Sequence, residues 1–116
     1  MPNRKTVLIV DNDKDVRGVL REYLSVNGFA VECCDSSDKA LELSSEKCFD
    51  VIITDCHMPT MQDAAITKTI RDQCPHGLHI GMNARLVSPG PVYADGIVFL
   101  QKPIMPATLM SILKDR

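Results

Sequence analysis

An α/β fold of the (βα)5 type, a doubly wound sheet of five parallel strands with a degraded fourth helix, is predicted by three features of the sequence. Apolar periodicity alternates along the chain between the strand type and the helix type. The strongest strand runs, Val7-Leu8-Ile9-Val10 and Val51-Ile52-Ile53, are continuously apolar and rich in β-branched residues, as strands covered on both faces require. The rhythm breaks once, at Ser88-Pro89-Gly90-Pro91, where a fourth helix is due and where two prolines around a glycine cannot be helix interior.

Val7 to Val10 is the first strand. Val16, Val19, Leu20, Tyr23 and Leu24 fall at i, i+3, i+4, i+7 and i+8, an apolar stripe on a first helix that ends at Asn27-Gly28, where glycine supplies a left-handed cap. Ala30 to Cys34 is a second, weaker strand. Ser36-Ser37-Asp38 offers N-caps for a second helix carrying Ala40, Leu41 and Leu43. Val51 to Ile53 is the third strand, and Asp63 offers the cap of a third helix through Ala65, Ile66, Thr69 and Ile70. Leu78 to Met82 is a fourth strand weakened by Gly81. After it, Val92 to Asp95 leaves room for about one turn of helix. Ile97 to Leu100 is the fifth strand, and Pro106 opens a last helix through Leu109, Met110, Ile112 and Leu113, with Lys114 near its negative end.

With 116 residues, 45% of them hydrophobic, the chain is expected to form one domain over residues 1–116 around one core. Thirteen basic against 15 acidic residues, with no Trp, two Tyr and three Phe, give neither the charge nor the stacking platforms for a direct nucleic-acid ligand. No apolar run approaches the roughly 18 residues of a membrane span, and no signal-peptide core follows Arg4-Lys5, so a cytoplasmic protein is expected. Cys33, Cys34, Cys48, Cys56 and Cys74 make an odd count without CxxC spacing. Reduced, mostly buried thiols are expected rather than a disulfide framework or a zinc site.

In a doubly wound sheet, ligands bind at the C-terminal ends of the strands, beside the point where strand order reverses. Asp11 and Asn12 follow the first strand, Asp55 the third and Lys102 the fifth. If those strands are central, two carboxylates meet at one sheet edge with an ammonium nearby. Facing acids repel unless a cation lies between them, and oxygen ligands with several waters retained favour Mg²⁺. A carboxylate so placed can also attack phosphorus, forming an acyl phosphate while metal and ammonium neutralise the phosphoryl oxygens. Asp55 is the expected nucleophile. Taken singly, each residue has a plainer role, the acids as turn or cap residues and the lysine as a solvated group. Their joint placement is what points to a site.

The segments Val7-Leu8-Ile9-Val10-Asp11-Asn12-Asp13, Asp50-Val51-Ile52-Ile53-Thr54-Asp55-Cys56-His57-Met58-Pro59 and Phe99-Leu100-Gln101-Lys102-Pro103 resemble the receiver domain of two-component response regulators, over essentially the whole chain. The resemblance implies a flavodoxin-like domain that takes a phosphoryl group from a phosphohistidine onto Asp55, without independent catalytic turnover. It implies Mg²⁺ held by Asp11, Asn12, Asp55 and the backbone carbonyl of His57. It implies that Lys102, with Asn83 and Ala84, meets the phosphoryl oxygens, that Asn83 and Phe99 form the switch pair, and that Lys102-Pro103 has a cis peptide, cheap only before proline. The donor it implies is a sensor histidine kinase or phosphotransfer domain. The output it implies runs through a downstream protein, a fused output domain or a second copy in a homodimer.

The departures from the family pattern matter. Asn12 replaces the second acid of the motif, which removes a full charge and lowers the expected metal affinity. Asn83 stands where the family has Thr or Ser; its amide can donate to a phosphoryl oxygen but is bulkier than a hydroxyl. Met61-Gln62-Asp63 stands where Met-Asp-Gly is usual, with Asp63 positioned to take over the cap. Asp13 and Asp15 open the first helix as capping and dipole-complementing residues, with metal assistance by Asp13 as the alternative. His57 either gates water near the acyl phosphate or is a partly exposed loop residue. His76 and His79 have no metal-ligand spacing with it. The degraded fourth helix lies on a surface that receivers use for output, so an unusual partner face is expected.

Three other readings compete. A pseudo-receiver would keep Asp55 and Lys102 while Asn12 and Asn83 uncouple phosphorylation from output. A phosphatase of the haloacid dehalogenase type would use Val10-Asp11-Asn12-Asp13, with Asp11 as nucleophile and Asp13 as general acid, but Asp15 stands where Thr or Val is expected. A flavin-binding flavodoxin needs a Ser/Thr/Gly-rich phosphate loop after the first strand, where this chain has acids.

Overall fold

In the computed structural model of the chain, the described residues are 4–55, 68–83, 92–94, 97–102 and 104–114. They form β1 (Thr6–Val10), α1 (Lys14–Val26), β2 (Ala30–Cys34), α2 (Ser37–Glu46), β3 (Val51–Asp55), α3 (helical residues 68–73), β4 (Leu78–Asn83), β5 (Val92–Ala94), β6 (Ile97–Gln101) and α4 (Pro106–Lys114). Five strands run parallel in the order β2-β1-β3-β4-β6, and β5 adds antiparallel beyond β6. The strand order reverses between β1 and β3.

The apolar strands dictate this layering. Alternate side chains of β1 leave on opposite faces of the sheet. Val7 and Ile9 join Ile53, Ile80 and Met82 under Leu20 and Leu24 of α1 and Leu109 and Leu113 of α4. Leu8 and Val10 join Ile52 on the other face, under Ala40 of α2 and Ile70 of α3. Val7, Leu8, Ile9 and Val10 are each at most 1% exposed, each stabilising the fold by roughly 1.5–3 kcal/mol. Both faces of β1 are therefore covered, and Asp11 and Asp55 stand where the apolar runs of β1 and β3 end.

The helix ends follow from local sequence. The Asp13 side chain caps α1 by accepting from the Asp15 and Val16 amides, the capping role expected of it. Gly28 adopts φ 93° just past α1, where a side chain would be strained. Ser36 caps α2 by accepting from the Lys39 amide. Pro106 opens α4 and Lys114 lies in its last turn. The cap expected at Asp63 lies outside the described residues.

Three expectations are corrected. Val92 to Ala94 is a strand and not a turn of helix; it pairs with Phe99, Val98 and Ile97 as an antiparallel edge strand. The α1 stripe is not buried throughout, because Val19 is 67% exposed while Leu20 and Leu24 carry the packing. The thiols are not all reduced, because Cys48 and Cys74 form a disulfide with Cα atoms 5.5 Å apart. Leu78 donates to the Asp50 carbonyl at 2.8 Å, and that β3–β4 register draws the loop before β3 against the end of α3. Cys34 is buried and Cys33 half-buried, both free; Cys56 lies outside the described residues.

Candidate functional site

The strand register assembles the site. Val10 pairs with Thr54, so Asp11 and Asp55 are the next residues along neighbouring strands at the switch point. Asp55 pairs with Met82, and Asn83 pairs with Gln101, which puts Lys102 one residue past the end of β6. Lys102 Nζ lies 2.9 Å from Asp11 Oδ2 and 3.3 Å from Asp55 Oδ2. The three residues that the sequence places at strand ends are thus in contact through one ammonium.

Burial strengthens this arrangement. The Asp11 side chain has no exposure, that of Asp55 is 11% exposed and that of Lys102 23%. Burial works against the Lys102 charge, but the hydrogen bond and charge of Asp11, joined by Asp55, outweigh it and hold the ammonium above its ordinary pKa. Asp11 is fixed on several sides. Its amide donates to the Cys34 carbonyl at 3.1 Å, its Oδ1 accepts from the Asp13 amide at 2.9 Å, and its carbonyl accepts from Arg17 Nη1 at 2.6 Å. Arg17 was not singled out by the sequence; the only signal is a cation on the first helix six residues after Asp11.

Beside the site lies an apolar groove of about 410 Å³, floored by Val16, Val19, Leu20, Met82 and Ile104 and rimmed by Asp15 and Lys102. The exposed Met105 follows Ile104 on the same loop.

The sequence matches the family of response regulator receiver domains over residues 7–114. The chain belongs to that family. Like receivers in general, it is a module of two-component signal transduction. It is 38% identical over 71 residues to hybrid signal transduction histidine kinase E of Dictyostelium discoideum, covering 60% of this chain and 4% of that protein's length. Its fold superimposes on the chemotaxis response regulator CheY4 of Vibrio cholerae with a TM-score of 0.79 and 28% identity, covering 97% of this chain and 98% of that one. A response regulator protein from Burkholderia pseudomallei, crystallised with a phosphorylated aspartic acid, a calcium ion and citrate, has a TM-score of 0.74 and 19% identity, covering 92% of this chain and 65% of that one.

The receiver's other expected site residues are distributed around this centre. Asn12 is exposed beside Asp11. Asn83 ends β4 next to Asp55's strand, and Phe99 is half-buried in β6, paired with Gly81 and Val92. His57, Ala84 and the Lys102-Pro103 linkage lie outside the described residues. Among the described residues no three Asp, Glu, His or Cys side chains cluster as a metal cage. The two carboxylates around Lys102, with the exposed Asn12 next in sequence to Asp11, nonetheless have the oxygen chemistry that suits a hard cation keeping several waters. No helix among the described residues is long and apolar enough to cross a membrane.

Proposed function

We propose that this receiver accepts a phosphoryl group from a histidine donor onto Asp55 in the presence of Mg²⁺ and transmits the change through a protein surface, acting as a phospho-acceptor and not as an enzyme with turnover. The observation that carries the reading is the Lys102 ammonium held between Asp11 and Asp55 at the switch point. An Asp55 carboxylate oxygen attacks phosphorus, the P–N bond of the phosphohistidine breaks, and the imidazole nitrogen leaves with the electron pair. Lys102 then shifts from the carboxylate to the phosphoryl oxygens, and the amide of Asn83 and backbone N–H of Ala84 complete their contacts. Asp11, Asn12, Asp55 and the His57 carbonyl would hold Mg²⁺, which supplies neutralisation of the phosphoryl charge. The cis peptide before Pro103 belongs to the same reading, as does a switch running from Asn83 to Phe99. The phosphorylated aspartate and calcium ion of the Burkholderia protein support it by analogy.

The donor must bring its imidazole to Asp55 and so covers the rim of the site. The groove of Val16, Val19, Leu20, Met82 and Ile104 is an apolar surface beside that rim, which supports seating the donor domain there. The match to a hybrid histidine kinase supports a kinase or phosphotransfer domain in that role.

Incubation with acetyl phosphate or phosphoramidate and Mg²⁺, followed by intact mass measurement, should add one phosphoryl group. Asp55→Asn and excess EDTA should each abolish it. No added mass, or mass that persists in Asp55→Asn, refutes the phospho-acceptor reading and leaves an interaction module in which Asn12 and Asn83 have ended the chemistry.

A further inference from the structure

We propose that Cys48–Cys74 is a reversible thiol–disulfide exchange site for low-molecular-weight disulfides and thiols such as glutathione, entered through Cys48. The bond lies at the N-terminal edge of the sheet, the end opposite Asp55, and its chemistry is independent of phosphoryl transfer. Two observations carry the proposal. The first is that the two backbone segments are held together by contacts other than the bond. Across the two segments Leu78 donates to the Asp50 carbonyl at 2.8 Å; within the second, Cys74 donates to the Ile70 carbonyl at 3.0 Å and Gly77 to the Cys74 carbonyl at 3.2 Å, which fix the position of Cys74 on its own turn. Gly77 packs so closely on this loop that a Cβ there would stand 2.9 Å from the Phe49 carbonyl oxygen. With the Cα atoms 5.5 Å apart, the reduced pair stays poised within the ordinary range for closure.

The second observation is the asymmetry of access. Cys48 is exposed, whereas Cys74 is 2% exposed. An external thiolate or disulfide therefore reaches the Cys48 sulfur, and Cys74 serves as the resolving thiol. In the oxidising direction the Cys48 thiolate attacks oxidised glutathione, forming a mixed disulfide and releasing one glutathione thiolate. The Cys74 thiolate then attacks Cys48 Sγ and releases the second, so two protein thiols are oxidised and one glutathione disulfide is reduced. Of the other described thiols, Cys34 is buried and Cys33 half-buried, and burial pushes both pKa values up. The closed bond encircles the 26-residue span that contains β3, Asp55 and α3, so oxidation restrains the end of α3 against β3.

The test equilibrates the whole protein in a series of reduced and oxidised glutathione ratios, quenches with acid, alkylates and maps the peptides. The expected result is a smooth passage of Cys48–Cys74 from open to closed, with the thermal midpoint higher in the closed form. Cys74→Ser should carry glutathione on Cys48, while folded Cys48→Ser should leave Cys74 unmodified. The proposal is overturned if the pair keeps one state across the whole series, or if Cys48→Ser takes glutathione on Cys74. The wild-type titration and the exposed-site variant decide the matter even if Cys74→Ser does not fold.

Discussion

Lys102→Met removes the ammonium that Asp11 and Asp55 share while keeping most of the side-chain stem. At 2.9 and 3.3 Å and an effective dielectric near 20, the two attractions are worth about 6 and 5 kcal/mol before desolvation. Most of that is offset by the cost of bringing the charges out of water, and removing one partner of a buried pair costs roughly 3–5 kcal/mol net. Because Lys102 keeps some exposure, the expected loss is at the lower end, about 3 kcal/mol at neutral pH. Urea unfolding followed by far-UV circular dichroism in EDTA measures it, the chain having no Trp to report by fluorescence. The pH dependence fixes its origin. A lysine whose folded pKa is raised contributes its full stability below the unfolded value of about 10.4 and loses it only as pH rises through the folded value. The gap between wild type and variant should therefore be constant from neutral pH to about 9 and close above about 10.5. Excess Mg²⁺ should stabilise the variant more than the wild type, since it meets carboxylates with no cation beside them. A gap under about 1 kcal/mol, or one that shrinks well below pH 9, would refute the placement of Lys102 as the counter-charge of this edge.

Three further outcomes follow from the same geometry. Arg17→Ala removes the charged hydrogen bond to the Asp11 carbonyl and should cost about 1.5–3 kcal/mol in the same unfolding assay, with Arg17→Lys recovering part of it. Val19→Asp places a charge on the floor of the groove; it should slow transfer from a phosphorylated histidine donor protein while leaving uptake from acetyl phosphate unchanged, and equal slowing of both would argue against the groove as the donor's seat. His79 is buried in β4 with Nε2 3.3 Å from the Cys74 carbonyl oxygen, and burial, aided by the Arg71 charge against that hydrogen bond, holds its pKa below the ordinary 6.5. Its stabilising contribution is full above the ordinary 6.5 and is lost as pH falls through the lower folded value, so His79→Gln should flatten part of the stability decline that sets in below about pH 6.5.

Much of this architecture was legible in the sequence because the central strands β1 and β3 are covered on both faces. A strand that must be apolar on both sides advertises itself as a continuous run, and where such a run stops at an acid, as at Asp11 and Asp55, the stop marks the sheet edge. Caps were equally readable, since Asp13 and Gly28 act within a few residues of themselves. What escaped was whatever depends on register. Cys48 and Cys74 meet where the β3–β4 register sets Leu78 against Asp50, and no spacing rule carries that. β5 escaped for another reason: three residues are too few for periodicity to speak. The clue lay in Asp95-Gly96 between two apolar runs, a dipeptide typical of two-residue hairpin links. Val19 shows a different limit, because a stripe wide enough to read as buried was wider than the contact it makes.

The substitution at Asn12 acquires a direction from the site's charge balance. Two carboxylates against one ammonium leave the resting edge with one net negative charge, where an acid at position 12 would leave two. On the proposed reading, phosphorylation replaces the Asp55 carboxylate charge with a phosphoryl charge of about two, so the edge moves from one net negative charge toward two. A divalent cation therefore overcompensates the resting edge and balances the phosphorylated one. With an acid at position 12 the order reverses, the cation balancing the resting edge and leaving the phosphorylated one negative. Asn12 thus weakens the hold on a cation in the resting receiver, yet it shifts the electrostatic preference of the cation-loaded site toward the phosphorylated state. Loss of the acid is for that reason a retuning of the site, compatible with phosphoryl acceptance at Asp55.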